Sequence, residues 1–190
     1  MEFKNTIQAM QKLGGNVVKE GKGILRKKKK TTSGNTLYND FDYLVTASKS
    51  SVTLEFEFGG AEDYWAFVDE GVKGAGGFKG SGKMRGQGSP FRFGSGKSKG
   101  NWQSFKTNIK KWIQNKPIKL RGSKGRFVSK TESNINSVAY LIQRAIYQRG
   151  LERTQFFSKP FTQQLKKETN KIIQSFADDM ELALEQTLKD

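Results

Sequence analysis

The sequence predicts an α+β fold: a small antiparallel sheet built on a β-hairpin at about 38–58, packed by an N-terminal and a long C-terminal helix. A long basic, glycine-rich insertion interrupts it. Three observations carry this reading. Val52, Leu54, Phe56 and Phe58 alternate strictly with Thr53, Glu55 and Glu57, the period-two pattern of a half-buried strand. Apolar residues recur at three- and four-residue steps near both ends of the chain. Residues 71–130 hold sixteen basic residues and no acidic one, which sets them apart from the segments on either side.

The elements follow in order. Phe3, Ile7, Met10, Leu13 and Val17 share one helical face, so a helix is expected over 3–20, weakened by Gly14-Gly15 and ended at Gly21. Lys27–Lys30 reads as a solvated connector, and Ser33-Gly34-Asn35 as a turn. Leu37–Ala47, with Phe41, Tyr43, Val45 and Ala47 alternating, pairs with the strand from Val52 to Phe58 to give one wet and one buried face. Gly59-Gly60 breaks the second strand. Ala61–Val68 is either a short helix on the sheet or a third strand, closed by Asp69-Glu70-Gly71.

Residues 71–100 contain eleven glycines and seven basic residues, the composition of a flexible linker. Trp102, Phe105, Ile109, Trp112 and Ile113 then line one face of a helix that Pro117 stops; the spacing favours a core role for Trp102, Phe105 and Trp112 over base stacking among the basic residues. Ile118–Lys130 is a further basic stretch. A second helix is expected from Thr131, with Ser133 as N-cap and Gly150 at its C-terminal end. Its stripe is Ile135, Val138, Leu141, Ile142, Ala145 and Ile146. Thr154–Phe157 suits an edge strand. After Pro160 a last helix runs to about Leu188, roughly 40 Å at the usual rise, with Phe161, Leu165, Ile172, Phe176, Met180 and Leu184 on one side. The whole is expected to be a single domain over 1–190, with 71–130 as its insertion.

The chain lacks both cysteine and histidine, which removes most metal sites, every Cys or His nucleophile–base pair and the commonest general base. Gly96-Lys97-Ser98 matches the end of a phosphate-binding loop, but Phe91 stands where its first glycine belongs. Glu62, Asp63, Asp69 and Glu70 flank an aromatic cluster, and charge balance or an intersubunit salt bridge explains them better than catalysis. No enzyme activity and no cofactor or metal is therefore expected. Met1–Gly15 has no signal-peptide pattern, and no stretch has the roughly 20 apolar residues of a membrane span, so a soluble chain made in the cytoplasm is expected.

The formal charge of +16 lies wholly in 71–130: residues 1–70 hold ten basic and ten acidic residues, and 131–190 eight and eight. Such segregation suits a surface that meets phosphate or carboxylate. The contact residues expected on this ground are Lys73, Lys79, Lys83, Arg85, Arg92, Lys97, Lys99, Lys119, Arg121, Lys124 and Arg126. Phe91 and Phe93 flank Arg92 in a pattern that fits a strand or a base-stacking platform equally.

The order of a first helix, a turn with Gly34 and Leu37, a hairpin, Tyr64–Val72, and finally Phe156-Phe157-Ser158-Lys159-Pro160-Phe161 with a terminal helix resembles the tail-completion or minor tail proteins of tailed phages. The match covers roughly 3–75 and 140–188. In that family a Thr-Gly-x-Leu turn opens the sheet, a Tyr-x-x-x-Val-Glu-x-Gly-Thr segment precedes a mobile loop, and a Pro-Phe pair starts the last helix. This chain departs in its turn, in Gly71-Val72, and in the roughly ninety residues between Gly71 and Pro160. The resemblance implies a structural virion protein that forms a ring at the head–tail junction. Its neighbours would be other copies and other neck, portal or tail proteins, with DNA in the channel. Tyr64, Trp65, Phe67, Asp69, Glu70, Phe156, Phe157 and Phe161 would lie at subunit interfaces. Glu62, Asp63, Asp69 and Glu70 would face the basic loop of an adjacent copy, and assembly would order that loop. The alternative is a monomeric nucleic-acid-binding protein without sequence preference.

Overall fold

The computed structural model describes residues 3–28, 36–77, 83–95, 102–116, 118–122 and 124–189. In chain order the elements are α1 (Lys4–Lys27), α2 (Thr36–Asp40), β1 (Asp42–Ala47), β2 (Val52–Glu57), a 3-10 turn (Gly59–Ala61), α3 (Trp65–Glu70), β3 (Val72–Lys73), α4 (Trp102–Asn115), β4 (Leu120–Arg121), β5 (Phe127–Val128), α5 (Glu132–Arg149), β6 (Gly150–Leu151) and α6 (Ser158–Lys189). The fold is α+β. Among the described residues, no helix is long and apolar enough to cross a membrane.

The chain divides into two compact units. One joins Met1–Asp69 with Thr154–Asp190, and the other is the continuous run Glu70–Arg153. The second unit opens where the expected insertion opens, but it runs on past residue 130 through α5 to Arg153.

In the first unit β1 and β2 form the expected hairpin, with Tyr43 opposite Phe56, Val45 opposite Leu54 and Ala47 opposite Val52. The strand begins later than the sequence suggests, because Leu37 belongs to α2, where it is buried. Phe41 is the centre of the core. Its ring stacks on Phe58 at 5.3 Å and meets Phe156 edge-on at 5.4 Å. Phe58 in turn stacks on Trp65 at 4.4 Å, and Trp65 opens α3, so Ala61–Val68 leads into a helix rather than a third strand.

Helix α1 does not end at Gly21. A Cβ there would lie 2.6 Å from Phe41 Cε1 and 2.7 Å from Phe156 O, and one at Gly14 would lie 2.4 Å from Tyr43 Cδ2. These glycines let the hairpin and the Phe156 backbone approach the helix, and tertiary packing outweighs their weak helix propensity. Of the Lys27–Lys30 run, Lys27 closes the helix and Lys28 follows it; Lys29, Lys30 and the Ser33–Asn35 turn lie outside the described residues.

Helix α6 is 32 residues long, about 48 Å. Pro160 sits in its first turn, where a missing N–H costs nothing. The face it buries takes in only part of the apolar stripe: Phe161 and Ile172 pack on the core, and Gln164, Glu168 and Asp179 are buried, whereas Leu165, Phe176 and Leu184 are exposed. The reason lies on α1. Gln164 Nε2 donates to Glu20 Oε1 at 2.6 Å, and Lys12 Nζ stands 3.7 Å from Glu168 Oε2. Polar partners on α1 thus satisfy Gln164 and Asp179 by hydrogen bonds and Glu168 by charge. Thr154–Phe157 is not a strand. Gln155 has a φ of 52°, and Thr154 N donates to Val68 O and Asp69 O.

In the second unit α4 packs on α5 around Ile109, Ile113, Leu120, Ile135 and Ala139. Only the centre of α4 is buried. Trp102 and Trp112 are 44% and 47% exposed, contrary to the core role that spacing suggests, and Leu141 of α5 is likewise exposed. Two helices and a short strand pair cover one narrow seam, so residues at the edges of each stripe stay in solvent. The N-cap of α5 is Thr131, whose hydroxyl accepts from Asn134 N, and not Ser133. Gly150 ends the helix with a φ of 91° and enters β6, which pairs with β3 through Val72–Leu151.

Candidate nucleic-acid interface

The division of the fold coincides with the division of charge. Glu70–Arg153 holds nineteen basic and three acidic residues, while the other unit holds fifteen of each. The net charge of +16 is thus carried by one folded body.

That body is not a bare linker where it is described. Lys73 N donates to Phe91 O and Phe93 N to Lys73 O, both at 2.9 Å, so the Phe91–Phe93 segment is bonded as a strand-like bridge rather than splayed as a platform. Ala75 N donates to Tyr147 O and Arg85 N to Arg149 O. Ser89 is buried, with its hydroxyl donating to Gly71 O and accepting from Phe91 N. A Cβ at Gly74 would sit 2.1 Å from Gln148 O, so glycine here serves close backbone packing against the end of α5. Residues 71–77 and 83–95 of the expected loop are thus hydrogen-bonded within the chain.

Of the expected contact residues, Lys83, Arg85, Arg92, Lys119, Arg121, Lys124 and Arg126 are exposed, and Lys73 is half-buried on β3. Lys79, Lys97 and Lys99, with the Gly96-Lys97-Ser98 near-match, lie outside the described residues. One group of them lies on the β4–β5 hairpin. Leu120 pairs with Val128 on the side facing Ile113 and Ile135, which puts Arg121 and Phe127 opposite each other on the outer face. Phe127 is 60% exposed, with Arg121 Cζ 4.7 Å and Lys119 Nζ 5.5 Å from its ring centre. Arg121 Nη1 also donates to Gly125 O, which ties the side chain to the turn that carries Lys124 and Arg126. An exposed ring between two cations can stack on a base or hold the cations over a phosphate.

Not every cation is available. Lys130 Nζ donates to Ile113 O at 2.8 Å and Lys116 O at 2.6 Å, closing the C-terminal end of α4. Lys110 pairs with Glu132 at 2.7 Å, and this hydrogen bond first, the ammonium charge second, holds the Glu132 carboxyl below its ordinary pKa.

No family model, curated protein or solved structure matches this chain.

The expected interface residues divide sharply. Phe156 is fully buried, and Trp65, Phe157 and Phe161 pack around the Phe41 core. Asp69 is buried too: its Oδ1 accepts from Phe157 N at 2.8 Å and Ser158 N at 3.3 Å, at the start of α6. Glu70 is paired with Arg153 Nη2 at 2.5 Å. These six are engaged within the chain, so the acidic partners still offered to another copy are Glu62 and Asp63. Tyr64 and Phe67 remain exposed. Sequence reasoning missed Gln143, fully buried on α5 with Nε2 donating to Trp102 O at 2.6 Å, and Arg149 and Arg153, which lie beyond the acid-free segment.

Proposed function

We propose that this chain is a non-enzymatic structural subunit that forms a ring at the head–tail junction of a tailed phage and turns a basic body toward DNA. One observation carries the reading. The two motifs that resemble the tail-completion proteins, about 85 residues apart, meet in one core, with the Asp69 carboxylate accepting from the Phe157 and Ser158 amides. Everything that departs from the family's length lies between them as the compact unit Glu70–Arg153. An insertion is tolerated in this way when its two ends lie close together, as Leu151 and Val72 do. Several copies of a cationic body around a channel would hold passing DNA by counterion release, without reading its sequence.

The charge partition alone also supports the second reading, a monomer that binds nucleic acid without sequence preference. Light scattering after gel filtration, with electron microscopy of the peak, separates the two. Closed rings, or a portal or major capsid gene beside this one, support the ring subunit. A stable monomer that binds duplex tightly supports the second reading and overturns the first.

A further inference from the structure

The segment Lys83–Gln87 runs beside the C-terminal end of α5, where Arg85 N donates to Arg149 O at 2.7 Å. With Arg149, Glu152 and Arg153 it lines a cleft of about 430 Å³. Four of the eight lining residues are cationic, and Glu152 is the one acid among them. One wall is fixed in advance. Arg153 Nη2 is held by Glu70 Oε2, while Arg153 Nε is buried and makes no hydrogen bond.

The lining also says what the ligand is not. Among the described residues, Met84 is its one large apolar side chain and no aromatic ring lines it. The described lining offers cations rather than a ring for a base to stack on or an apolar pocket to anchor a peptide. What remains is the fork of a guanidinium beside an ammonium, a match for the paired oxygens of a phosphate.

We propose that this cleft grips a phosphodiester of the DNA backbone, with Lys83, Arg85 and Arg153 as the contacting cations. The assignment rests on the DNA-contact reading above and gives that contact a place separate from the β4–β5 hairpin.

The test is binding of a labelled short duplex to the full chain over a salt series, for wild type, for K83Q/R85Q and for Arg153→Lys. Lys83 and Arg85 are exposed, so the double variant keeps the wild-type melting curve. It should lower the slope of log affinity against log salt by about one to two, given about 0.9 per phosphate contact. Arg153→Lys, which keeps the charge but loses the fork, should weaken binding with a smaller change in slope. An unchanged slope and affinity in K83Q/R85Q, while wild type still binds, overturns the cleft and leaves the DNA-contact reading standing. No duplex binding by wild type overturns both. Two competitors complete the test. Poly-glutamate displacing the duplex as well as unlabelled duplex at equal charge would assign the cleft to an acidic protein. Inorganic phosphate doing so at equal phosphate concentration would reduce it to a small-anion site. Either result overturns the proposal.

Discussion

Asp179, near the end of the last helix, caps the first. Its Oδ2 accepts from Thr6 N at 2.8 Å and from Thr6 Oγ1 at 2.7 Å, and its Oδ1 from Asn5 N at 3.1 Å. The residue at the N-cap position itself, Phe3, has no side chain that can do this. The first turn of α1, whose amides have no intrahelical partner, is thus satisfied by a carboxylate 173 residues away.

Burial is the largest single influence on this carboxyl and opposes its ionisation, but the hydrogen bonds from Thr6 and Asn5 together outweigh it and lower its pKa from the ordinary 3.8. A depressed folded value means stabilisation that is complete above about pH 3.8 and is lost as pH falls through the folded value. Asp179→Ala should cost about 2–3 kcal/mol at pH 7, in the range of hydrogen bonds to a charged group. Asp179→Asn should also flatten the acid limb of the stability curve. Urea unfolding of wild type and both variants from pH 7 to pH 2 measures this; an acid limb of wild-type steepness in the Asn variant would refute it.

Two glycines of α1, two residues apart, should respond in opposite directions to the same change. Gly23→Ala meets nothing within 4 Å and should stabilise the chain by about 0.5–1 kcal/mol. Gly21→Ala drives a methyl group against Phe41 and the Phe156 carbonyl and should destabilise it despite the better helix propensity. Melting temperatures of the two variants decide the matter, and a gain in both would show that α1 stands off the hairpin.

Phe56 holds the sheet to the core through edge-on contacts with Phe157 at 5.1 Å and Phe161 at 5.8 Å. Phe56→Asp removes both and sets an unpaired charge among aromatic rings. The expected loss is at least about 3 kcal/mol. Near-ultraviolet circular dichroism and a urea midpoint at the wild-type values would remove the hairpin from the core.

Phe127→Ala should leave the melting temperature within about a degree, since the ring is mostly in solvent and exposed substitutions cost within about 0.5 kcal/mol. It should nevertheless weaken duplex binding, because Lys119 and Arg121 lose the ring that holds them together. Anisotropy titration alongside the melting curve checks both halves.

The interface was only partly legible in the sequence. Lys83 and Arg85 are visible as cations in an acid-free run, and so is the basic hairpin. Arg149 and Arg153 are not, because they follow the run by some twenty residues, with Glu132 and Glu152 intervening, and join it only where β6 pairs with β3. Composition reports charge along the chain, whereas a cleft depends on which stretches fold back together.

By itself the sequence determined the β1–β2 hairpin, the long last helix and the confinement of charge, all properties of local period or local composition. Val52–Glu57 alternates whatever it packs on, and sixteen cations without an acid remain so in any fold. Tertiary structure alone decided that Gly14 and Gly21 lie inside a helix, that α6 buries Gln164, Glu168 and Asp179 in place of its leucines, and that Asp69 and Asp179 cap helices remote in sequence. A glycine's cost, a polar side chain's burial and a cap's value depend on the partner across the contact. That partner is chosen by packing between segments from twenty to more than 170 residues apart, beyond any local window.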